Sequence, residues 1–227
     1  GVENNAPFLT APSRSPRGSV IMLTITTPVG LSLPPEDSSC AIDVLAAALD
    51  QRDSYTDHHC DRVSQLAQAM GQRCELSEER IGHLVLAARF HDVGKIGIRD
   101  EVLLYPGKLD DNKMDAMRSH PERGARLFAA TGRSDAKAVA TLIRHHHEAW
   151  DGSGYPHGLQ GEDIPLESRI LTIVDGFDAM TSQRPYRDAM ATQRAVEILA
   201  NDRGRLIDRR LFSEFMGLLR GDPAPAA

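Results

Sequence analysis

Seven side chains stand out for what they could coordinate: His59, His91, Asp92, His120, His146, His147 and Asp175. All offer nitrogen or oxygen donors and none is a cysteine, a set that suits one or two divalent ions such as Fe, Mn, Ni or Zn without choosing among them. Taken singly, each has a plainer reading. A histidine closing an apolar stripe is more often a satisfied core or capping group. His145-His146-His147 could be a surface run, and Asp175 could pair with Arg169. Joint occurrence favours the cation, because a buried carboxylate or imidazolium without a partner costs on the order of several kcal/mol.

Helical phase is what aims these groups at one place. From a cap at Ser77, residues 78 to about 92 carry Ile81, Leu84, Val85 and Ala88 as an apolar stripe, and further steps of three and four reach His91 and Asp92. After Ser134 the stripe Val139, Leu142, Ile143 extends in the same way to His146 and His147, which selects them over His145. Asp175 follows Leu171 and Val174, His120 follows Met117 by three, and His59 precedes Val63, Leu66 and Met70. Five helices thus point imidazoles or carboxylates into a shared interior.

Other helix starts are read at Asp37 or Ser38, running to about Gln51, and at Thr56, ending near Gly71. Further starts fall at Asp110, Glu167, Thr192 and Asp208. About eight helices and no repeat predict an all-α fold in one domain over residues 37–227. Residues 151–166 hold four glycines and two prolines, which predicts a long ordered loop, and such a loop inside a compact domain is usually functional. Residues 1–36 are rich in Pro, Ser, Thr and Gly, with one β-favouring stretch at 20–25. They read as a mobile leader or the stub of something upstream, with docking as an edge strand or swapped arm as the alternative.

Composition excludes several partners. With 26 Lys and Arg against 32 Asp and Glu, the formal charge of −6 argues against a broad grip on DNA or RNA, so positive charge for a phosphate ligand must be local. At 41% hydrophobic and 26% charged residues the chain has the balance of a soluble globular protein, and no apolar run approaches the roughly 18 residues that span a bilayer. Cys40, Cys60 and Cys74 form neither a CxxC pair nor an even framework, and no signal peptide opens the chain, which reads as cytoplasmic.

Two stretches carry a family resemblance. His91-Asp92-Val93-Gly94-Lys95 resembles the HDxGK signature of HD-GYP domains, a branch of the HD phosphohydrolase superfamily. The run His146-His147-Glu148-Ala149-Trp150-Asp151-Gly152-Ser153-Gly154-Tyr155-Pro156 resembles its HHExxDGxGYP signature. Gly158-Leu159, Gly161, Ile164-Pro165, Arg169-Ile170, Asp175, Phe177-Asp178-Ala179 and Arg184-Pro185-Tyr186-Arg187 continue the likeness, which covers about residues 41–219.

The resemblance implies an all-helical enzyme of the bacterial cytoplasm that hydrolyses cyclic di-GMP, or the related cyclic GMP-AMP, usually as the output of a sensor or receiver domain. It implies one ion, most often Fe or Mn, on His59, His91, Asp92 and Asp175, and a second on His120, His146 and His147, with Asp92 bridging. Two such ions would activate a bridging water and offset charge in the in-line transition state. Asp92 and Lys95 then take catalytic roles. Lys95, Arg184 and Arg187 contact the ligand, although the two arginines could instead cap the helix that carries Asp175. The loop residues Glu148, Asp151, Gly152, Gly154, Tyr155 and Pro156 are placed beside the site, where the family also contacts GGDEF domains.

The competing readings are a non-catalytic regulator that binds the nucleotide or a GGDEF domain, and a nucleotide phosphohydrolase of the wider superfamily. The latter needs only His59, His91, Asp92 and Asp175. Three departures matter. Tyr55 stands where some members place the acidic ligand of a third ion, which implies two ions and favours pGpG as product, with hydrolysis on to GMP as the alternative. His58 replaces a commonly small residue. Residues 201–210 lack the family's usual Gly- and Phe-containing turn, which puts the packing of the last helix in question.

Overall fold

The computed structural model describes residues 39–52, 56–183 and 188–224. The 1–36 segment, Tyr55, Arg184 and Arg187 lie outside the described residues, as does the side chain of His58. The helices are α1 (Ser39–Arg52), α2 (Thr56–Arg73), α3 (Glu78–Phe90), α4 (Asp100–Leu103), α5 (Asp111–Arg118), α6 (His120–Ala129), α7 (Ala136–Arg144), α8 (Leu166–Thr181), α9 (Thr192–Asp202) and α10 (Arg209–Arg220). Two 3-10 turns, Val93–Gly97 and Gly161–Asp163, complete the architecture. Among the described residues there is no strand, so the expected all-α class holds. None of these helices is long and apolar enough to cross a membrane.

Several starts fall where local chemistry places them. Ser77 Oγ accepts from Arg80 N, Asp110 Oδ1 from Lys113 N at 2.9 Å, and Asp208 Oδ1 from Arg210 N at 2.8 Å, each satisfying a first-turn donor that the helix leaves open. The helix read after Ser134 begins at Ala136, behind Asp135.

Among the described residues ten helices stand where eight were expected, for two reasons. Asp100–Leu103 is a single turn that the periodicity could not show, and the helix read from Asp110 is two. Pro121 explains the break. In a continuous helix the Met117 carbonyl would accept from the backbone nitrogen four residues on, and proline has no hydrogen there. The His120 ring takes its place, donating from Nδ1 to Met117 O at 2.8 Å.

α2 packs on α3 and α8, α3 also meets α7, and α6 packs on both α7 and the Val93–Gly97 turn. Because α3 has neighbours on several sides, Leu86, Ala87 and Phe90 are buried along with Leu84, Val85 and Ala88, a wider face than the stripe read from the sequence. α10 buries Leu211, Phe212, Phe215 and Leu219, so the departure at 201–210 does not loosen it. Its cap Asp208 also accepts from Arg169 Nη1 at 2.8 Å.

Gly94 is required by the closest approach in the core of the fold. A Cβ there would lie 1.9 Å from His120 O and 2.5 Å from Gly124 N, both backbone atoms that cannot step aside alone. Gly94→Ala must push α6 off the Val93–Gly97 turn. The expected cost is about 2–3 kcal/mol, read as a drop in the denaturation midpoint, with a parallel loss of activity because Asp92 and His120 no longer align.

Candidate metal centre

His91 and Asp92 do not lie on α3, nor His146 and His147 on α7, as helical phase alone suggested. They sit just beyond the C-termini at Phe90 and Arg144. His120 likewise follows the end of α5. Each of three rings turns back on the helix it ends: Nδ1 donates to a carbonyl three residues earlier, from His91 to Ala88 at 2.7 Å, His120 to Met117 at 2.8 Å and His146 to Ile143 at 2.6 Å. Those carbonyls belong to the last turn, where a helix leaves acceptors unused. A carbonyl can only accept, so Nδ1 carries a proton and Nε2 is turned into the interior, bare in His120 and His146, which resist a second proton. Three helix C-termini also direct their negative dipole ends at this space, which favours a cation there.

Two trios of donors result. His59, His91 and Asp175 place one ligand atom each within 4.8 Å of one another, and so do His120, His146 and His147. The rings of His91 and His146, with centroids 5.1 Å apart, join the trios. Asp92 lies between them: Oδ2 is 3.4 Å from His91 Nε2 and Oδ1 is 3.3 Å from His120 Nε2. Lys95 Nζ donates to Asp92 Oδ2 at 2.6 Å. All seven residues singled out in the sequence are therefore brought to one place. Asp175 faces His59 Nε2 at 3.3 Å, while Arg169 is engaged with Asp208, so the pairing with Arg169 does not form.

Asp178 is the residue sequence reasoning passed over as a site group. His59 Nδ1 donates to its Oδ2 at 2.7 Å, and Arg62 holds the same carboxylate through Nε at 2.6 Å and Nη2 at 3.0 Å. Asp178 thus fixes the tautomer and tilt of His59 and leaves Nε2 to the interior. The signal was its spacing: three residues past Asp175, it shares that helix face. Outer partners of this kind typically alter metal affinity about 10–100-fold. Asp178→Asn is expected to weaken metal binding by that factor and to lose activity at limiting metal, with recovery in excess metal. Metal titration followed by activity at both concentrations checks this, since mere loss of packing would not be rescued.

Charge is divided unevenly between the trios. Burial disfavours protonated His59, but hydrogen bonds to Asp175 and Asp178 more than offset it and raise its pKa to about 9. His91 moves the same way, burial again being outweighed by Asp92 and Asp175. Burial would raise Asp92, yet Lys95, His91 and His120 hold it well below the usual carboxylate range, and the His59 hydrogen bond and His91 do the same for buried Asp175. In the other trio burial dominates: His120 and His146 are lowered, and His147 falls to about 4.

These residues fit a cation. His120 Nε2 and His146 Nε2 face each other at 3.4 Å. Both rings have committed Nδ1–H to a carbonyl and both resist a second proton, so two lone pairs face each other. Two nitrogens each about 2.1 Å from a shared ion would be spaced in this way. On the other side, His91 Nε2 is buried and, among the described residues, has no hydrogen-bond partner, although it is in contact with two carboxylates.

The glycine-rich loop is held against the centre. Glu148 accepts from His157 N at 2.8 Å and Leu159 N at 3.1 Å, and Asp151 Oδ1 accepts from Ser153 N at 2.9 Å, so both carboxylates shape the loop. Gly154 is needed because a Cβ there would lie 2.2 Å from Ala149 N. Tyr155 rests against His147, ring centroids 4.9 Å apart, with the Arg118 guanidinium 5.8 Å from the tyrosine ring. A surface hollow of about 610 Å³ beside Tyr105 and Lys113 shares no residue with the centre.

Residues 43–211 match the HD domain family. The chain belongs to that family. The resemblance to its HD-GYP branch is borne out by curated relatives. The chain is 43% identical over 177 residues to the cyclic di-GMP phosphodiesterase response regulator RpfG of Xanthomonas campestris, covering 78% of this chain and 46% of that protein. It is 33% identical over 177 residues to a cyclic di-GMP phosphodiesterase of Thermotoga maritima, covering 78% and 48%. The HD-domain chain therefore spans about half the length of these relatives. The fold is shared with a crystal structure of a cyclic GMP-AMP specific phosphodiesterase from V. cholerae, with a TM-score of 0.60 and 23% identity over 81% of this chain and 48% of that one.

Proposed function

We propose that this HD domain is a metal-dependent phosphodiesterase that hydrolyses cyclic di-GMP to the linear dinucleotide pGpG. The observation that carries the reading is the facing pair His120 Nε2 and His146 Nε2, two bare nitrogens 3.4 Å apart beside Asp92. His59, His91, Asp92 and Asp175 would hold one divalent ion and His120, His146 and His147 a second, with Asp92 shared. Fe or Mn suits these nitrogen and oxygen donors, and Ni or Zn is also compatible. When bound, such ions supply Lewis acidity that activates water and offsets charge on the phosphodiester.

The chain's own groups do the rest. Asp92 stays ionised and presents one oxygen to each trio. Lys95, half-buried and held by Asp92, keeps an ammonium beside the reacting phosphate, where it stabilises developing charge or donates a proton to the leaving oxygen. Tyr155 covers His147 and restricts water on that side. Arg184 and Arg187 complete the proposed ligand contacts, and the names of the curated relatives supply the substrate. A cytoplasmic location, GGDEF-domain partners and an upstream receiver or sensor belong to the same proposal.

The test is chromatography of products after anaerobically purified, Fe- or Mn-loaded protein is incubated separately with cyclic di-GMP and cyclic GMP-AMP. The expected result is pGpG from cyclic di-GMP. Preferential turnover of cyclic GMP-AMP would move the substrate, and failure with both would leave a non-catalytic binder.

A further inference from the structure

His145, set aside by helical phase, belongs to a second constellation on the other side of the α7 terminus. Its Nε2 lies 3.2 Å from Nδ1 of His157, and the two rings are tilted by 54°. Glu148 completes the group, with one ligand atom from each of His145, Glu148 and His157 within 4.8 Å of the others. Two imidazole nitrogens at 3.2 Å require something positive between them, either one shared proton or a cation. A tetrahedral ion about 2.0–2.1 Å from two nitrogens sets them about 3.3–3.4 Å apart, so the observed gap is already near that spacing.

The surroundings favour the cation. Glu148 is buried, and its two oxygens each accept one backbone N–H, from His157 and Leu159, which leaves a further lone pair on each. The same two bonds hold the backbone of His157 in place. The nearest fixed positive group on α7, Arg144, donates from Nε to Glu122 at 2.7 Å and is neutralised there. Two imidazoles and one carboxylate therefore make up the donor set. Its position at the loop surface, with His157 exposed, leaves a coordination position open to water.

We propose that His145, Glu148 and His157 form a separate Zn²⁺-binding site that fastens the glycine-rich loop to the end of α7. Two histidines and one glutamate with an open fourth position are a zinc set, and imidazole donors place Zn²⁺ ahead of Mn²⁺ or Fe²⁺ in affinity. Bound there, the ion would tie the loop that carries Tyr155 to the segment that carries His146 and His147. None of these three donors is shared with the seven of the centre above.

The experiment is Zn²⁺ stoichiometry of the full chain, measured against a chromophoric chelator, in the parent and in His157→Ala and His145→Ala. The parent is expected to bind one equivalent more than either variant. Loop amides in residues 152–160 should gain protection from hydrogen exchange on Zn²⁺ addition in the parent but not in His157→Ala. His157 is exposed, so its variant is expected to keep the parent's helicity, which circular dichroism verifies. Equal, non-zero stoichiometry in parent and His157→Ala overturns this inference alone, and shows that only a proton joins the two rings. A parent that binds no Zn²⁺ overturns this inference and counts against the centre of the proposed function as well.

Discussion

Asp92→Asn is expected to lower cyclic di-GMP hydrolysis by on the order of 10³-fold, equivalent to about 4 kcal/mol of transition-state stabilisation. The substitution keeps the volume and removes the charge on which both trios depend. One Asp92 oxygen meets His91 and the Lys95 ammonium, while the other meets His120. An amide can offer an oxygen to one side only, and its NH₂ would face bare His120 Nε2 or the Lys95 ammonium on the other. Metal content should therefore fall together with activity, while helicity stays at the parent level. Steady-state rates and metal analysis on the same sample check this. Activity within tenfold of the parent would contradict a shared role for Asp92.

Metal removal is expected to have an effect of similar size on activity, with a pH signature that identifies the ligands. A chelator should abolish hydrolysis and leave a folded chain, because the empty centre is held by its own ion pairs. With its pKa near 9, His59 carries a proton at neutral pH in the absence of metal, and His91 is shifted the same way. A metal needs the neutral imidazole, so binding must release protons, and apparent affinity should rise with pH until about 9. Calorimetry of metal binding in buffers of different ionisation enthalpy measures that release.

Stability of the metal-free protein should follow from the same shifts. His59 contributes stability that is complete below the ordinary value of 6.5 and is lost as pH rises through about 9, and raised His91 acts in the same direction. His120, His146 and His147 act oppositely, since the unfolded chain takes up protons below 6.5 that the folded chain refuses. Thermal unfolding in chelator should thus show a maximum near 6.5, and the loaded protein should lack the decline on the alkaline side.

Much of this was legible in the sequence because it is local. Caps at Ser77, Asp110 and Asp208 act within three residues, and the positions of those helix starts followed. Helix ends were not legible in the same way. α3, α5 and α7 stop where a histidine ring turns back onto a last-turn carbonyl, and the sequence alone does not show which polar group will satisfy that acceptor. The break at Ser119 depends on Pro121 and His120 acting together.

Helical phase and the family signature both pointed at the seven donors, although five of them, His91, Asp92, His120, His146 and His147, lie past the helices whose phase was used. A C-terminal residue in αR geometry, as at His91, preserves the direction for a residue or two after the helix ends. Pairings were hidden because they connect distant segments. His59 with Asp178 spans 119 residues, and Arg169 chose Asp208, 39 residues away, over Asp175, six away. Glu148, read from the sequence only as a loop residue beside the site, proved to be an acceptor for two loop amides, a role set by the loop's backbone and not by its composition.

Anomalous diffraction from crystals of Mn-loaded protein tests the central claim most directly. Two peaks about 4 Å apart, one beside His59, His91 and Asp175 and the other beside His120, His146 and His147, with Asp92 between them, are the predicted result. A single peak confined to the His59, His91 and Asp175 side, with His120 and His146 still facing each other unoccupied, would contradict it.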